Sequence, residues 1–377
     1  MIGAAVFRDD ETVSMLRESV ATFARQNPGP ERFRTGAAGS GFDRAAWRKM
    51  AEAGWLGLQV PEAQGGVGLG PRELAAVAEE LGRALAPEPY AMLSVLALGA
   101  LAACPEATLR DALLASALAG EATIALAWQE TADQDVNVVP KVSATRDGQR
   151  WRLRGVKHFV DGGTSATDYL VTALADGNIA LFAVPATQAG LVVNTRSGIA
   201  GDHIASLHLE DCLLDAERCL APDASALLAG PLEAARLALA AELAGVAARA
   251  LELTVEYTKQ RVQFGKPIAS FQSIQHRLVD MWTQAMLARS AVANAADAAT
   301  TSPGSRTAAL ATLAAKARAS DAAGFVCRNA VQLYGAMGYT EECDIGLYLK
   351  RAIGLGACLS GAERQRQLFL ALEGAII

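Results

Sequence analysis

Two features of the sequence carry chemical groups that helical packing alone does not call for. The first is Glu242, in the stretch "LALAAELAGVAARA". Three and four residues to either side it meets only Ala238, Leu239, Gly245 and Val246, so nothing on its own helix can neutralise it. A carboxylate on so apolar a face is costly to bury unpaired, and burial should raise its pKa. That suits an acceptor of a weakly acidic C–H proton in a dry pocket. The alternative is an ion pair across the helices with an arginine such as Arg236, Arg249 or Arg318. The second feature is "RVQFGKPIASFQSIQHRLVDM", residues 261–281, between two alanine-rich helical patterns. A plain connection needs a few small polar residues. This one carries Arg261, Gln263, Phe264, Lys266, Gln272, Gln275 and His276, and so reads as a surface that touches a ligand or a partner.

Other chemistries find little support. With only four histidines (His158, His203, His208, His276), a His-rich metal site is nearly excluded, and no GxGxxG, P-loop, HExxH or GxSxG pattern stands out. The six cysteines are scattered without CxxC spacing, as expected of small hydrophobes in a reducing compartment. A net charge of −6 with no basic run argues against nucleic acid or an anionic membrane. Residues 90–104, "YAMLSVLALGALAAC", are too short to span a bilayer, which needs about 20 residues, and read as a buried helix. Charges begin at Arg8, Asp9, Asp10 and Glu11, too early to leave a secretory signal. A cytoplasmic protein is expected.

The elements that must position these residues fall into three segments, an α+β organisation. Residues 1–122 read as an N-terminal helical domain, with Val13, Leu16, Val20 and Phe23 on one face and Leu74, Val77, Leu81 and Leu85 on another. Residues 123–228 read as a middle β domain, a small barrel or sandwich, because Asp147-Gly148 and Asp176-Gly177 separate β-favouring runs as hairpin turns do. Residues 229–377 read as a four-helix bundle with stretches at 230–261, 271–299, 305–335 and 345–373, and "TTSPGS" turns between the second and third. The Gly-rich "YGAMGYT" (334–340) by itself is a helix end with a turn.

"YTKQRVQFGKPIASFQSIQHRLVDM", "NAVQLYGAMGYTEE" and "LQVPEAQGGVGLG" together resemble the signature segments of the FAD-dependent acyl-CoA dehydrogenase family, and the α–β–α order agrees along nearly the whole chain. The resemblance implies FAD bound between subunits of a dimer or tetramer, an acyl-CoA substrate oxidised at its α and β carbons, and electron-transfer flavoprotein as electron acceptor. It implies that Arg261 meets the pyrophosphate, as a guanidinium suits, and that Phe264, Ile268, Phe271 and Ile274 bed the adenine beside Gln263 and Gln272. Gln332, Gly335 and Ala336 would approach the diphosphate from another chain, and Trp128 and Gln129 would edge the flavin pyrimidine. In "ALAWQETADQDV" only Glu130 and Asp135 match the family pattern, and "GVKHFVDGG" places Phe159 at a tryptophan position and Asp161 at that of a threonine. An ionised carboxylate cannot donate to flavin N5. This leaves three options: Asp161 points elsewhere, the register slips by one, or the flavin contact is altered.

The family's base is a glutamate at one of two positions. Counted from Gly338, the first is Leu359; counted from Arg261, the second is Ala235, just before Arg236, with Arg236 and Leu359 bordering the substrate. Neither position is a carboxylate. Glu242 lies two turns beyond Ala235 on the same face, about 10 Å along, and is the remaining candidate base. The resemblance is to bacterial forms that pair large and small subunits, one of which lacks the base. The function expected is acyl-CoA dehydrogenation with a non-standard base, or from a base-lacking subunit of a heteromer. A non-catalytic FAD-binding partner subunit is the alternative, and a flavin monooxygenase or oxidase on this fold the weaker one.

Overall fold

The computed structural model describes residues 10–39, 42–132, 134, 138–199 and 203–374. Asp135 lies outside the described residues. The N-terminal helices are α1 (Glu11–Gln26), α2 (Gly29–Ala38), α3 (Arg44–Glu52) and α4 (Pro71–Arg83), followed by α5 (Leu98–Ala103) and α6 (Thr108–Leu118). Helix α1 starts where Asp10 accepts the Val13 N–H at 2.9 Å, and it buries the Val13, Val20 and Phe23 stripe. The apolar run from Tyr90 is a buried helix whose first part, Ala91–Ala97, is π-helical. Such wide turns recur at functional sites.

The middle segment holds β1 (Ile124–Ala127), β2 (Ser143–Asp147), β3 (Arg150–Asp161), β4 (Asp168–Ala175), β5 (Asn178–Pro185), β6 (Leu191–Ser197), β7 (His203–Asp215) and β8 (Cys219–Ala221). They form one sheet in the order β6-β7-β3-β2-β4-β5-β8, with β1 parallel to β4. Both Asp-Gly pairs turn hairpins, β2–β3 and β4–β5, with Gly148 and Gly177 at φ of 63° and 87°. Strand β3 pairs with β7 through two register shifts, the second between Lys157 and Val160. That bulge sets Phe159 at a φ of 55°, an unusual conformation for a bulky side chain.

The C-terminal helices are α7 (Ala229–Gln260), α8 (Gln272–Thr301), α9 (Arg306–Tyr334), α10 (Asp344–Ala357) and α11 (Ala362–Glu373). The expected single stretch over 345–373 is thus two helices. The chain breaks between them, with Leu359 and Ser360 at φ of 52° and 78°. Two left-handed residues in a row cannot continue a right-handed helix. The loop after α7 is a small hairpin of β9 (Val262–Gln263) and β10 (Lys266–Pro267), turning on Phe264 and Gly265, both at positive φ.

Helices α4 and α7 cross backbone to backbone. A Cβ on Gly82 would stand 2.0 Å from the Glu242 carbonyl oxygen, and one on Gly245 would stand 1.9 Å from that of Glu79. Only glycine permits this approach, and it locks the N-terminal helices onto the bundle. Gly245→Ala should therefore lower stability by about 2 kcal/mol or more in urea denaturation: the clash is with backbone, and it outweighs the ~1 kcal/mol gained in helix propensity. Gly324→Ala on α9, which would meet only the flexible Arg328 side chain, should be neutral or mildly stabilising. Equal effects at the two positions would contradict this view of the crossing.

Candidate active site

The bulge in β3 organises one end of the site. Lys157, fully buried, donates to Trp128 O at 3.2 Å, to Glu130 Oε1 at 2.8 Å and to Thr172 Oγ1 at 3.0 Å. Burial pulls its ammonium down to about 8, against the opposing pull of Glu130. The Glu130 carboxylate also receives the Lys141 and Val142 N–H groups. Burial raises its pKa, but the Lys157 bond and the backbone donors outweigh that and hold it below its usual range. Trp128 and Gln129 are thereby fixed as a buried edge, and Phe159 on the bulge, next to the His158 N–H that bonds Gln129 O, is 45 % exposed.

Asp161, at the end of β3, points at the bundle. Cys358 Sγ lies 3.9 Å from its Oδ1, within reach of a weak S–H···O bond. The carboxylate thus faces the turn after α10. Gly162 follows at a φ of 68°, and a Cβ there would meet Leu93 of the π-helical turn at 2.8 Å. The three segments therefore converge here.

That turn is held by buried side chains. Lys316, fully buried on α9, donates to Gly356 O at 3.1 Å at the end of α10, and to Ser320 Oγ at 3.3 Å. Burial brings its ammonium to about 8, with Cys358 drawing it up and Arg236 pushing it down. Gln365 of α11, also fully buried, donates to Leu359 O and Ser360 O. Leu359 and Ala235 are both buried and apolar, and Arg236 is half-buried near Lys316. Neither Leu359 nor Ala235 offers an ionisable group where sequence comparison leads one to expect a base.

Glu242 is not part of this convergence. Its carboxylate accepts from Arg351 Nε at 3.1 Å and from Nη2, and both side chains are nearly inaccessible. Arg351 also donates to Pro87 O and Glu88 O, each at 3.3 Å. Burial raises Glu242, and the Arg351 guanidinium opposes the rise. The ion pair expected from sequence thus exists, but its arginine is Arg351 rather than Arg236, Arg249 or Arg318. A carboxylate held on two donors inside the packed α4–α7–α10 junction cannot reach an acyl thioester without breaking that pair.

The residues expected around adenine and pyrophosphate lie at the other end of the bundle. Arg261, Gln263 and Gln272 are exposed, Phe264 is 92 % exposed, and Ile268, Phe271 and Ile274 are half-buried. Phe264 and Phe271 meet edge to face at 6.1 Å, and Lys266 sits over the Phe271 ring. Gln332, Gly335 and Ala336 are exposed at the end of α9. The stacked pair Tyr257 and Tyr334, with Tyr257 OH donating to Tyr334 O at 3.3 Å, brings that end beside the hairpin. Gly335 has a φ of 66° and open space where a Cβ would stand. A guanidinium, side-chain amides, an aromatic bed and an accessible glycine suit a dinucleotide. From Arg236 to Arg261 runs roughly 37 Å of α7 at about 1.5 Å per residue.

A model of the acyl-CoA dehydrogenase N-terminal domain matches residues 10–121, and one of the C-terminal domain matches residues 226–358. The chain belongs to the acyl-CoA dehydrogenase family. It is 33 % identical over 372 residues to the acyl-CoA dehydrogenase IpdE2 of Mycobacterium tuberculosis, covering 97 % of this chain and 98 % of that protein. Among solved structures it is similar to a chain of the ChsE4–ChsE5 complex from Mycobacterium tuberculosis (TM-score 0.88, 28 % identity, 98 % of this chain and 99 % of that one). It is also similar to the Tcur3481–Tcur3483 steroid ACAD (TM-score 0.85, 31 % identity, 97 % and 99 %). This acyl-CoA dehydrogenase is a flavoprotein oxidoreductase with FAD as cofactor.

Four residues that matter here were not singled out from sequence: Lys157, Lys316, Arg351 and Gln365. Arg351 had a readable signal, because it falls on the buried stripe of α10 with Leu347, Tyr348, Ala352 and Leu355. An arginine inside an apolar stripe needs a buried anion. Lys157 and Lys316 hold backbone carbonyls 29 and 40 residues away, and Gln365 those of a left-handed turn just before its own helix, neither of which helical periodicity reveals. Removing one partner of a buried pair costs about 3–5 kcal/mol, while replacing both by apolar groups costs less. Glu242→Leu and Arg351→Met should each destabilise by that order in urea denaturation, and the double variant Glu242→Leu with Arg351→Met by less than the sum. Strict additivity in the double-mutant cycle would show that the pair is not coupled.

Proposed function

We propose that this acyl-CoA dehydrogenase binds FAD jointly with a second subunit and catalyses α,β-dehydrogenation of an acyl-CoA thioester, passing electrons to an electron-transfer flavoprotein. The observation that carries the shared site is the span of roughly 37 Å along α7 between the dinucleotide surface at Arg261 and the Arg236–Asp161 end. An extended dinucleotide does not bridge that distance within one chain, so each chain's hairpin serves a cofactor whose ring lies elsewhere. Phe264, Tyr339 and Met337, at 92 %, 77 % and 54 % exposure, form an apolar rim at that end that a neighbouring subunit would cover.

FAD, when bound, supplies the hydride acceptor for the β-carbon. This chain's residues do the rest. Lys157 fixes the Trp128–Gln129 edge that orients the ring, and Arg261 with the hairpin amides holds the phosphate end. A cavity of about 310 Å³, lined by Leu56, Leu58, Val95, Gly99, Pro231 and Ala234, opens between the π-helical turn and the start of α7. The Tyr90 and Ser94 hydroxyls on its wall already donate to backbone carbonyls of Trp55 and Leu56. The cavity therefore suits an apolar acyl group and keeps water from it.

A second reading has a specific observation behind it. With Ala235 and Leu359 at both usual base positions, the chain would pair with a different, base-bearing subunit in a heterotetramer, as a non-catalytic partner. The six cysteines are free, which suits a cytoplasmic setting, and among the described residues no helix is long and apolar enough to cross a membrane.

Arg261→Ala should leave stability unchanged, since the side chain is exposed, and weaken FAD binding about 10- to 100-fold, as loss of a charged hydrogen bond does. Titrating apoprotein with FAD by flavin fluorescence reads this directly. Dilution to the monomer should release flavin; a monomer that keeps its FAD would sink the shared-site reading.

A further inference from the structure

We infer that Gly99 sets the size of the acyl group this enzyme accepts, and that the group is an apolar one of about twelve carbon atoms rather than a short one. The inference rests on the dehydrogenase reading above, in which the cavity beside the π-helical turn takes the acyl group, and deepens it. The cavity runs along one face of the apolar helix, where Tyr90, Ser94, Val95, Gly99 and Ala102 line it at helical spacing. Opposite stand Pro231 and Ala234, on the first turns of α7. The cavity abuts the junction at the end of β3. Leu93, next to Ser94, packs so close to Gly162 that a Cβ there would meet it at 2.8 Å, and Ala234 is followed by Ala235.

The backbone gives no reason for glycine at residue 99. It lies inside α5, outside the left-handed region, where alanine is the better helix former. Space explains it instead. A Cβ there would stand 3.3 Å from Pro231 Cβ and 3.5 Å from its Cγ, so one methyl group is already tight and a longer side chain has the cavity as its outlet. Ala102, Gly230 and Ala234 keep the rest of that wall short. Leu56, Leu74 and Tyr90, each no more than 1 % exposed, close the inner end, while Pro61 and Ala103 are exposed at the outer one.

Volume and polarity define the class of acyl group. An apolar cavity of about 150 Å³ holds one six-carbon ring. At about 310 Å³ this one has room for roughly twice as much, hence the twelve carbons. Its hydroxyls are already spent, Tyr90 OH on Trp55 O at 3.1 Å and Ser94 Oγ on Leu56 O at 2.9 Å. The remaining polar side chain of the wall, Gln59, is half-buried. A polar tail therefore finds no buried partner at the inner end, and each methylene buried there should tighten binding about fourfold. Affinity rises with chain length until the cavity is full and then levels.

The test uses the FAD-loaded assembly and S-alkyl-CoA thioethers spanning roughly four to sixteen carbons, which lack the carbonyl that acidifies the α C–H and so bind without turnover. Titration calorimetry of the wild type should show affinity rising about fourfold per methylene and levelling at about twelve carbons. The leucine of Gly99→Leu brings about four carbon atoms into the cavity, so the plateau should begin about four carbons earlier. The twelve-carbon thioether should then bind about 100-fold more weakly than to the wild type, and the four-carbon one within about threefold of it. Ala234→Leu narrows the same cavity from α7 and keeps the test open should Gly99→Leu fail to fold. A wild type whose affinity ignores chain length, or narrowed variants that keep the wild-type profile, overturn the inference. Length-dependent binding by an assembly that oxidises no acyl-CoA overturns the dehydrogenase reading and leaves the role of Gly99 in binding standing.

Discussion

The buried guanidinium of Arg351 is the interaction on which the architecture turns. From α10 it binds the Glu242 carboxylate of α7 and the Pro87 and Glu88 carbonyls of the N-terminal helical segment. One side chain thereby ties together three elements that are remote in sequence. Beneath it, Glu88 is itself buried and paired with Arg32, and burial raises its carboxyl against that arginine's pull. Such a network is fragile to single changes, because any one loss leaves a charge in the interior without its counterpart. What it provides is position: the α4–α7 crossing at Gly82 and Gly245 closes only with these helices in register.

This constraint bears on Glu242. Held on Arg351, its carboxylate joins α7 to α10 and would have to leave that pair before it could accept a proton. Two turns of α10 beyond Arg351 the helix ends, and the Leu359–Ser360 turn presents its apolar side chain to the junction of all three segments. The β domain reaches the same point with the strained Phe159 bulge and Asp161. The clamp, the bulge and the turn are thus three parts of one arrangement, in which bundle and sheet meet at the end of β3. The hairpin at Arg261 lies far along α7 from it.

Much of the fold was legible in the sequence because the signals were local. The Asp-Gly hairpins, the α–β–α order and the hairpin loop at Arg261 follow from turn chemistry and periodicity over a few residues. Misread positions share a different cause. The break between α10 and α11 has no glycine or proline at Leu359 and Ser360 to announce it; the Gln365 side chain of the next helix holds both their carbonyls, and Lys316 holds that of Gly356 just before them. The partner of Glu242 was expected on α7 or α9 and came from α10, because helix order in a bundle is not written in any one helix. The direction of Asp161 likewise depends on a bulge whose cause is the register with β7.

The most direct single measurement is a crystal structure of the FAD-loaded assembly, read for the chains that hold each cofactor and for the partner of Glu242. Each FAD should lie between two chains, with its phosphate end on Arg261 of one of them, and Glu242 should remain on Arg351. An FAD held wholly within one chain, or a Glu242 swung off Arg351, would contradict the account.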